Sequence, residues 1–91
     1  MDVIKVSARS RTAAVAGAIA GVIRENGRAE VQSIGAGAVN QAMKAIVVAR
    51  GYLGEEDKEI VCIPSFVEVE IDEKERTALR VLVMLKADVV H

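Results

Sequence analysis

Arg28-Ala-Glu-Val-Gln-Ser-Ile-Gly-Ala-Gly-Ala-Val-Asn-Gln-Ala-Met-Lys-Ala-Ile-Val-Val-Ala-Arg50 decides the fold, because its character changes from strand to helix across two glycines. Arg28–Ile34 reads as a strand, and Gly35-Ala-Gly37 turns the chain. A helix is expected from Ala38 to Arg50, with Val39, Met43, Ile46 and Val47 as its apolar stripe and Gly51 as its stop. The same strand-to-helix pattern lies upstream. Asp2–Ser7 is short and rich in β-branched residues, Ser10 and Thr12 are candidate N-caps, and Ala13–Asn26 carries Val15, Ile19, Val22 and Ile23 on one side. Asn26-Gly27 closes that helix.

Downstream, Tyr52–Lys58 reads as an acidic loop. Glu59–Ile71 and Thr77–Ala87 both alternate, as the arms of a hairpin turning at Asp72–Arg76 do. Val61, Ile63, Val67, Val69 and Ile71 are expected on the face of Leu79, Val81, Val83 and Leu85. Pairing Val69 with Leu79 sets Glu68 opposite Arg80, as an ion pair, and Phe66 opposite Leu82. Pro64 marks an edge strand or a bulge. The order βαβαββ, with two right-handed crossovers, predicts an α/β two-layer sandwich: a four-stranded mixed sheet with two helices on one face. Residues 1–91 make one domain in this reading.

Composition narrows the function. The chain is 52% hydrophobic and 27% charged, which favours a packed domain over disorder. Aromatics are 2%, so platforms for stacking bases or sugars are few. One cysteine, Cys62, makes no internal disulfide, and no Cys/His cluster offers a zinc site. No apolar run reaches membrane-spanning length and no signal segment opens the chain, so a cytoplasmic protein is expected. Catalysis has little support: His91 is the last residue, Cys62 has no histidine near it in sequence, and the acids Glu55, Glu56 and Asp57 read as a solvated loop. No cofactor is expected.

Net charge is −1 and unevenly spread, with seven basic residues against three acids in 1–51 and five against ten in 52–91. Opposite halves of this kind fit a polyanion-binding end, although scattered solvated charge gives the same count. The loops Ser7–Thr12 and Gly35–Asn40 should leave the same end of two parallel strands and feed two helix N-termini, which favour anions. Gly35 and Gly37 let a phosphate approach the backbone; Arg9, Arg11 and Lys44 supply charge; Asn40 and Gln41 supply neutral donors. Turn geometry alone also explains such glycines. The pattern is neither a Walker loop nor a dinucleotide fingerprint.

On the face away from the helices the expected register places Cys62, Phe66, Leu82 and Met84, while Val48 points off the stripe of the second helix. An apolar patch formed by Val48, Phe66, Leu82 and Met84 suggests a homodimer or higher homo-oligomer, unless the hairpin curls over and shields it.

The run Ser33-Ile-Gly-Ala-Gly-Ala-Val-Asn-Gln-Ala-Met-Lys-Ala-Ile46, with Ala49-Arg-Gly-Tyr52 after it and Val3-Ile-Lys-Val-Ser-Ala-Arg-Ser10 before it, resembles the stage V sporulation protein S family. That resemblance implies a bacterial protein linked to sporulation or its regulation, with an Alba-like fold. Alba itself is a dimeric chromatin and RNA-binding protein. Ala38-Val-Asn-Gln-Ala42 is similar to Alba's Ala-Ile-Ser-Lys-Ala, with Gln41 where that pattern has lysine. Arg9 and Arg11 fall where Alba carries a basic pair that meets nucleic acid. The tip Asp72-Glu-Lys-Glu-Arg76 departs from Alba's basic hairpin. The resemblance thus implies a non-enzymatic protein contacting the DNA or RNA phosphate backbone with low sequence specificity. The alternative is a regulatory module whose acidic hairpin and apolar face meet a protein partner.

Overall fold

The computed structural model describes residues 3–89. Strand β1 (Val3–Val6) leads to helix α1 (Thr12–Asn26), then β2 (Arg28–Ser33), α2 (Ala36–Gly54), β3 (Ile60–Ile71), β4 (Lys74–Leu85) and a short 3-10 turn (Lys86–Asp88). The sheet order is β1-β2-β4-β3; β1 and β2 run parallel, and both pairings of β4 are antiparallel. This is the expected two-layer, mixed-sheet architecture. Asp2 and His91 lie outside the described residues.

Each helix boundary has a local cause. Gly27 takes φ 79° and its N–H reaches the Ile23 carbonyl at 2.8 Å, closing α1 as Asn-Gly predicts. Gly51 does not stop α2, which continues to Gly54 because Leu53 is drawn fully into the core. The strong pull of one buried leucine outweighs the mild helix penalty of glycine.

The core consists of Ile19, Ile23, Leu53, Val31, Val81 and Val83, filled in by alanines: Ala16 and Ala20 on α1, and Ala42, Ala45 and Ala49 on α2. Here the stripe of α2 differs from expectation. Ile46 is buried, but Met43 and Val47 face out, and Val48 packs against the core. Small residues let two helices share a narrow platform, so the alanine side is the buried one and the larger aliphatics turn outward. On α1, Ile19 and Ile23 are buried as expected, with Val15 and Val22 at the margin.

The hairpin register also differs, by three residues. Ile71 pairs with Lys74, Val69 with Arg76, Glu68 with Thr77, Phe66 with Leu79 and Cys62 with Val83. The turn is two residues, Asp72 and Glu73, both at positive φ (51° and 64°), the geometry of a type I′ turn. An odd shift exchanges faces. Ile60, Cys62, Pro64 and Phe66 therefore join Val81 and Val83 on the helix side, whereas Val61 and Ile63 share the open side with Met84 and Leu82. The patch expected from Phe66, Leu82 and Met84 is consequently split between two faces. The Glu68–Arg80 pair does not form: Thr77 donates its hydroxyl to Glu68 at 2.7 Å, and Arg80 lies 3.6 Å from Glu30.

Glu73 lacks the glycine that a type I′ turn favours at its second position. Glu73→Gly is expected to stabilise the protein by about 0.5–1 kcal/mol. A higher urea midpoint with unchanged slope would bear this out; a lower midpoint would contradict the turn geometry.

At the other end of the molecule, Glu56 joins the end of α1 to the loop after α2. Arg24 donates to it at 2.7 and 2.9 Å and Lys58 at 3.3 Å. The hydrogen bonds from Arg24 hold the Glu56 carboxyl below the ordinary glutamate range. Of the loop's acids, Glu56 is thereby tied to Arg24 of α1 and to Lys58.

Candidate functional site

Parallel pairing of β1 and β2, ending at Val6 opposite Ser33, sends both strand-to-helix loops from the same end of the sheet. They touch. The Gln41 side chain donates from Nε2 to the Ser10 carbonyl at 2.7 Å. A Cβ at Gly37 would stand only 3.0 Å from the Ala8 Cβ, so glycine is what lets α2 start this close to the first loop. Gly35, the residue before α2, takes φ 88°, a conformation that favours glycine.

The first loop is braced by its own serines. Ser7 N–H donates to Ser10 Oγ at 2.9 Å, Ser10 N–H to the Ser7 carbonyl at 3.1 Å, and Arg9 N–H to Ser7 Oγ at 3.2 Å. Ser10 is thus committed inside the loop and does not cap α1, and Thr12 is already the first helical residue. The residue before the helix is Arg11, which makes no side-chain cap bond. Gly35 has no side chain to cap α2. Neither helix has an acid in its first turn. Two helix N-termini, with their outward N–H groups and positive dipole ends, therefore sit side by side without a carboxylate of their own.

Arg9, Arg11, Asn40 and Lys44 are exposed around this point. Among the described residues none of the three cations lies within ion-pair distance of an acid. Gln41 differs in kind: it is half-buried, and its amide N–H holds the first loop against α2. The sequence reading grouped it with ligand donors and missed this bracing role, along with those of Ser7, Ser10 and Ala8. The Ser7–Ser10 spacing was the available signal, since serine side chains commonly fold back on nearby backbone. Lys44 also borders an apolar hollow of about 430 Å³ with Thr12, Met43, Val47 and Val48.

The other singled-out groups lie elsewhere. Cys62 is exposed on β3, and the partial desolvation that remains pushes its thiol above the usual cysteine range, away from a nucleophile's. No helix among the described residues is long and apolar enough to cross a membrane.

Comparison with known proteins agrees with this geometry. Residues 2–86 match the family model described as Stage V sporulation protein S. Among solved structures, the chain is similar to Alba from Thermoplasma volcanium, with 14% identity and a TM-score of 0.59 over 91% of this chain and 99% of that one. At that identity the likeness is one of fold. With the family model covering nearly the whole sequence, the chain belongs to the stage V sporulation protein S family and is built on an Alba-like fold.

Proposed function

We propose that the protein is a non-enzymatic nucleic-acid-binding protein, associated with sporulation or its regulation, that holds the DNA or RNA phosphate backbone at the paired loops. The observation that carries this reading is the junction of two uncapped helix N-termini, braced by the 2.7 Å Gln41–Ser10 hydrogen bond, with Arg9 and Arg11 beside it and without an ion pair among the described residues. Backbone N–H groups at Gly35 and Gly37, the two arginines, Asn40 and Lys44 are the phosphate contacts; Gln41 positions the first loop. Such contacts set position and carry little sequence information. A chain of net charge −1 binds modestly, with a steep dependence on salt.

The protein works as a homodimer or higher homo-oligomer in this reading, which multiplies the few contacts that each copy supplies. Apolar side chains left in solvent support it: Met43 and Val47 on α2, Phe66 on the helix side of β3, Ile63 on its other side. Leu82 and Met84, half-buried on the open face, are secondary candidates, and Val48 contributes through the hollow it shares with Val47.

Titration of labelled duplex DNA, single-stranded DNA and RNA at two salt concentrations tests the function. Binding that weakens steeply with salt is expected. No binding of any of the three at about 50 µM protein, toward the weak end of the usual non-specific range, would overturn the reading. A second reading, a regulatory module for a protein partner, is favoured by the carboxylates Glu70 and Glu75, which face each other across the hairpin. Like charges so placed repel unless a partner answers them.

A further inference from the structure

The register sorts the charges of the sheet by sign. Cross-strand partners share a face, so Lys5, Arg28, Lys74, Arg76 and Arg80 all stand on the side away from the helices, against a single acid among the described residues, Glu30. On the helix side of the same strands the charged residues are Glu68, Glu70 and Glu75. The hairpin, acidic when its residues are merely counted, has one acidic side and one basic side.

Four of the five cations lie toward the end of the sheet where the paired loops emerge. Lys5, Gln32, Arg80 and Ser65 form one cross-strand row over all four strands. With strands about 4.8 Å apart, Lys5 and Arg80 stand roughly 10 Å from each other. Arg76 and Lys74 continue along β4 toward the tip. The row is joined to the loops by a groove of about 270 Å³, lined by Lys5, Ser7, Ala8 and Gln32, with Ile71 of the hairpin closing it. Ile71 pairs with Lys74 and so carries the basic side of the ribbon toward that groove. Arg80 Nε faces Glu30 at 3.6 Å without a hydrogen bond and is shut away from solvent, so the rest of its guanidinium is what the open face offers.

We propose that this open sheet face is a second polyanion-contacting surface, which takes the nucleic-acid backbone onward from the paired loops through Lys5 to Arg80, Arg76 and Lys74. The inference rests on the nucleic-acid reading and extends its footprint. Continuity decides the ligand class, since the groove that starts at Lys5 of the basic row runs to Ser7 and Ala8, inside the first loop of the phosphate site.

Lys5, Lys74 and Arg76 are exposed, so the triple variant Lys5→Gln, Lys74→Gln, Arg76→Gln keeps the fold, as its circular dichroism melt would verify. Anisotropy titrations of the full chain with labelled DNA would compare it with the parent and with Arg9→Ala/Arg11→Ala. The triple variant should bind at least tenfold more weakly, with a salt slope shallower by about two to three. A counter-variant, Glu68→Gln, Glu70→Gln, Glu75→Gln, changes net charge by as much in the opposite direction and should change affinity far less. Parental affinity and slope in the triple variant would overturn the proposal, and if its sedimentation changed instead, the face would be an interface between copies of this chain. The loop reading fails separately, if the arginine variant binds like the parent while the triple variant does not. No binding by the parent would sink both.

Discussion

Leu53→Ala is expected to cost about 3 kcal/mol of folding stability, within the usual range of about 2–5 kcal/mol for a buried leucine. Leu53 is 0% exposed and sits in the last turn of α2, where its carbonyl also accepts from Lys58 N–H at 2.9 Å and Glu56 N–H at 3.0 Å. Its side chain is the reason the helix runs past Gly51. Truncation leaves a cavity among alanines and valines that have little freedom to move inward. A chain this short has on the order of 5–10 kcal/mol in total, so the melting temperature should drop by roughly 15 °C. Urea unfolding followed by circular dichroism, at one fixed protein concentration, measures it. A loss under about 1 kcal/mol would mean that α2 ends earlier than Gly54.

Phe66→Asp is the second large effect, expected on assembly with little on the fold. Phe66 is 78% exposed and Val47 63%, so neither contributes much to the core of one chain. An aromatic residue left in water at the edge of a sheet, in a protein whose composition is 2% aromatic, is the sort of anchor that interfaces use. Burying a carboxylate there without a partner is costly. The proposed homo-oligomer should weaken thirtyfold or more, the scale of a central interface residue, and Val47→Asp should act in the same direction. Sedimentation velocity of parent and variants over a concentration series reads this directly. A parent that sediments as a monomer at about 100 µM would contradict the oligomer, since interfaces of ordinary size hold far below that.

What the sequence disclosed, and what it concealed, divides along physical lines. Strand and helix order followed from the glycine punctuation at Gly27 and Gly35–Gly37 and from β-branched runs, which are local signals. The convergence of the two loops followed from topology, because parallel β1 and β2 leave one end no other way. The hairpin register was not legible. Asp72-Glu73 is not a turn pair that announces itself, and a five-residue turn satisfied the same alternation. Three residues of slip then misplaced Phe66 and Cys62 and hid the sorting of charge on the sheet. The α2 stripe was misjudged for a related reason: hydropathy favours Met43 and Val47, whereas packing against α1 required Ala42, Ala45 and Ala49. Gln41 was seen as a donor, but only the fold shows that its nearest acceptor is the Ser10 carbonyl.

In the proposed function the two joined loops hold a phosphate backbone. The most direct test is the affinity of Arg9→Ala/Arg11→Ala for labelled duplex, single-stranded DNA and RNA, beside the parent, at low and physiological salt. A loss of tenfold or more at low salt is expected, with a salt slope shallower by about two and an unchanged unfolding curve. Equal affinity and equal slope in parent and variant would place the nucleic acid elsewhere and contradict the account.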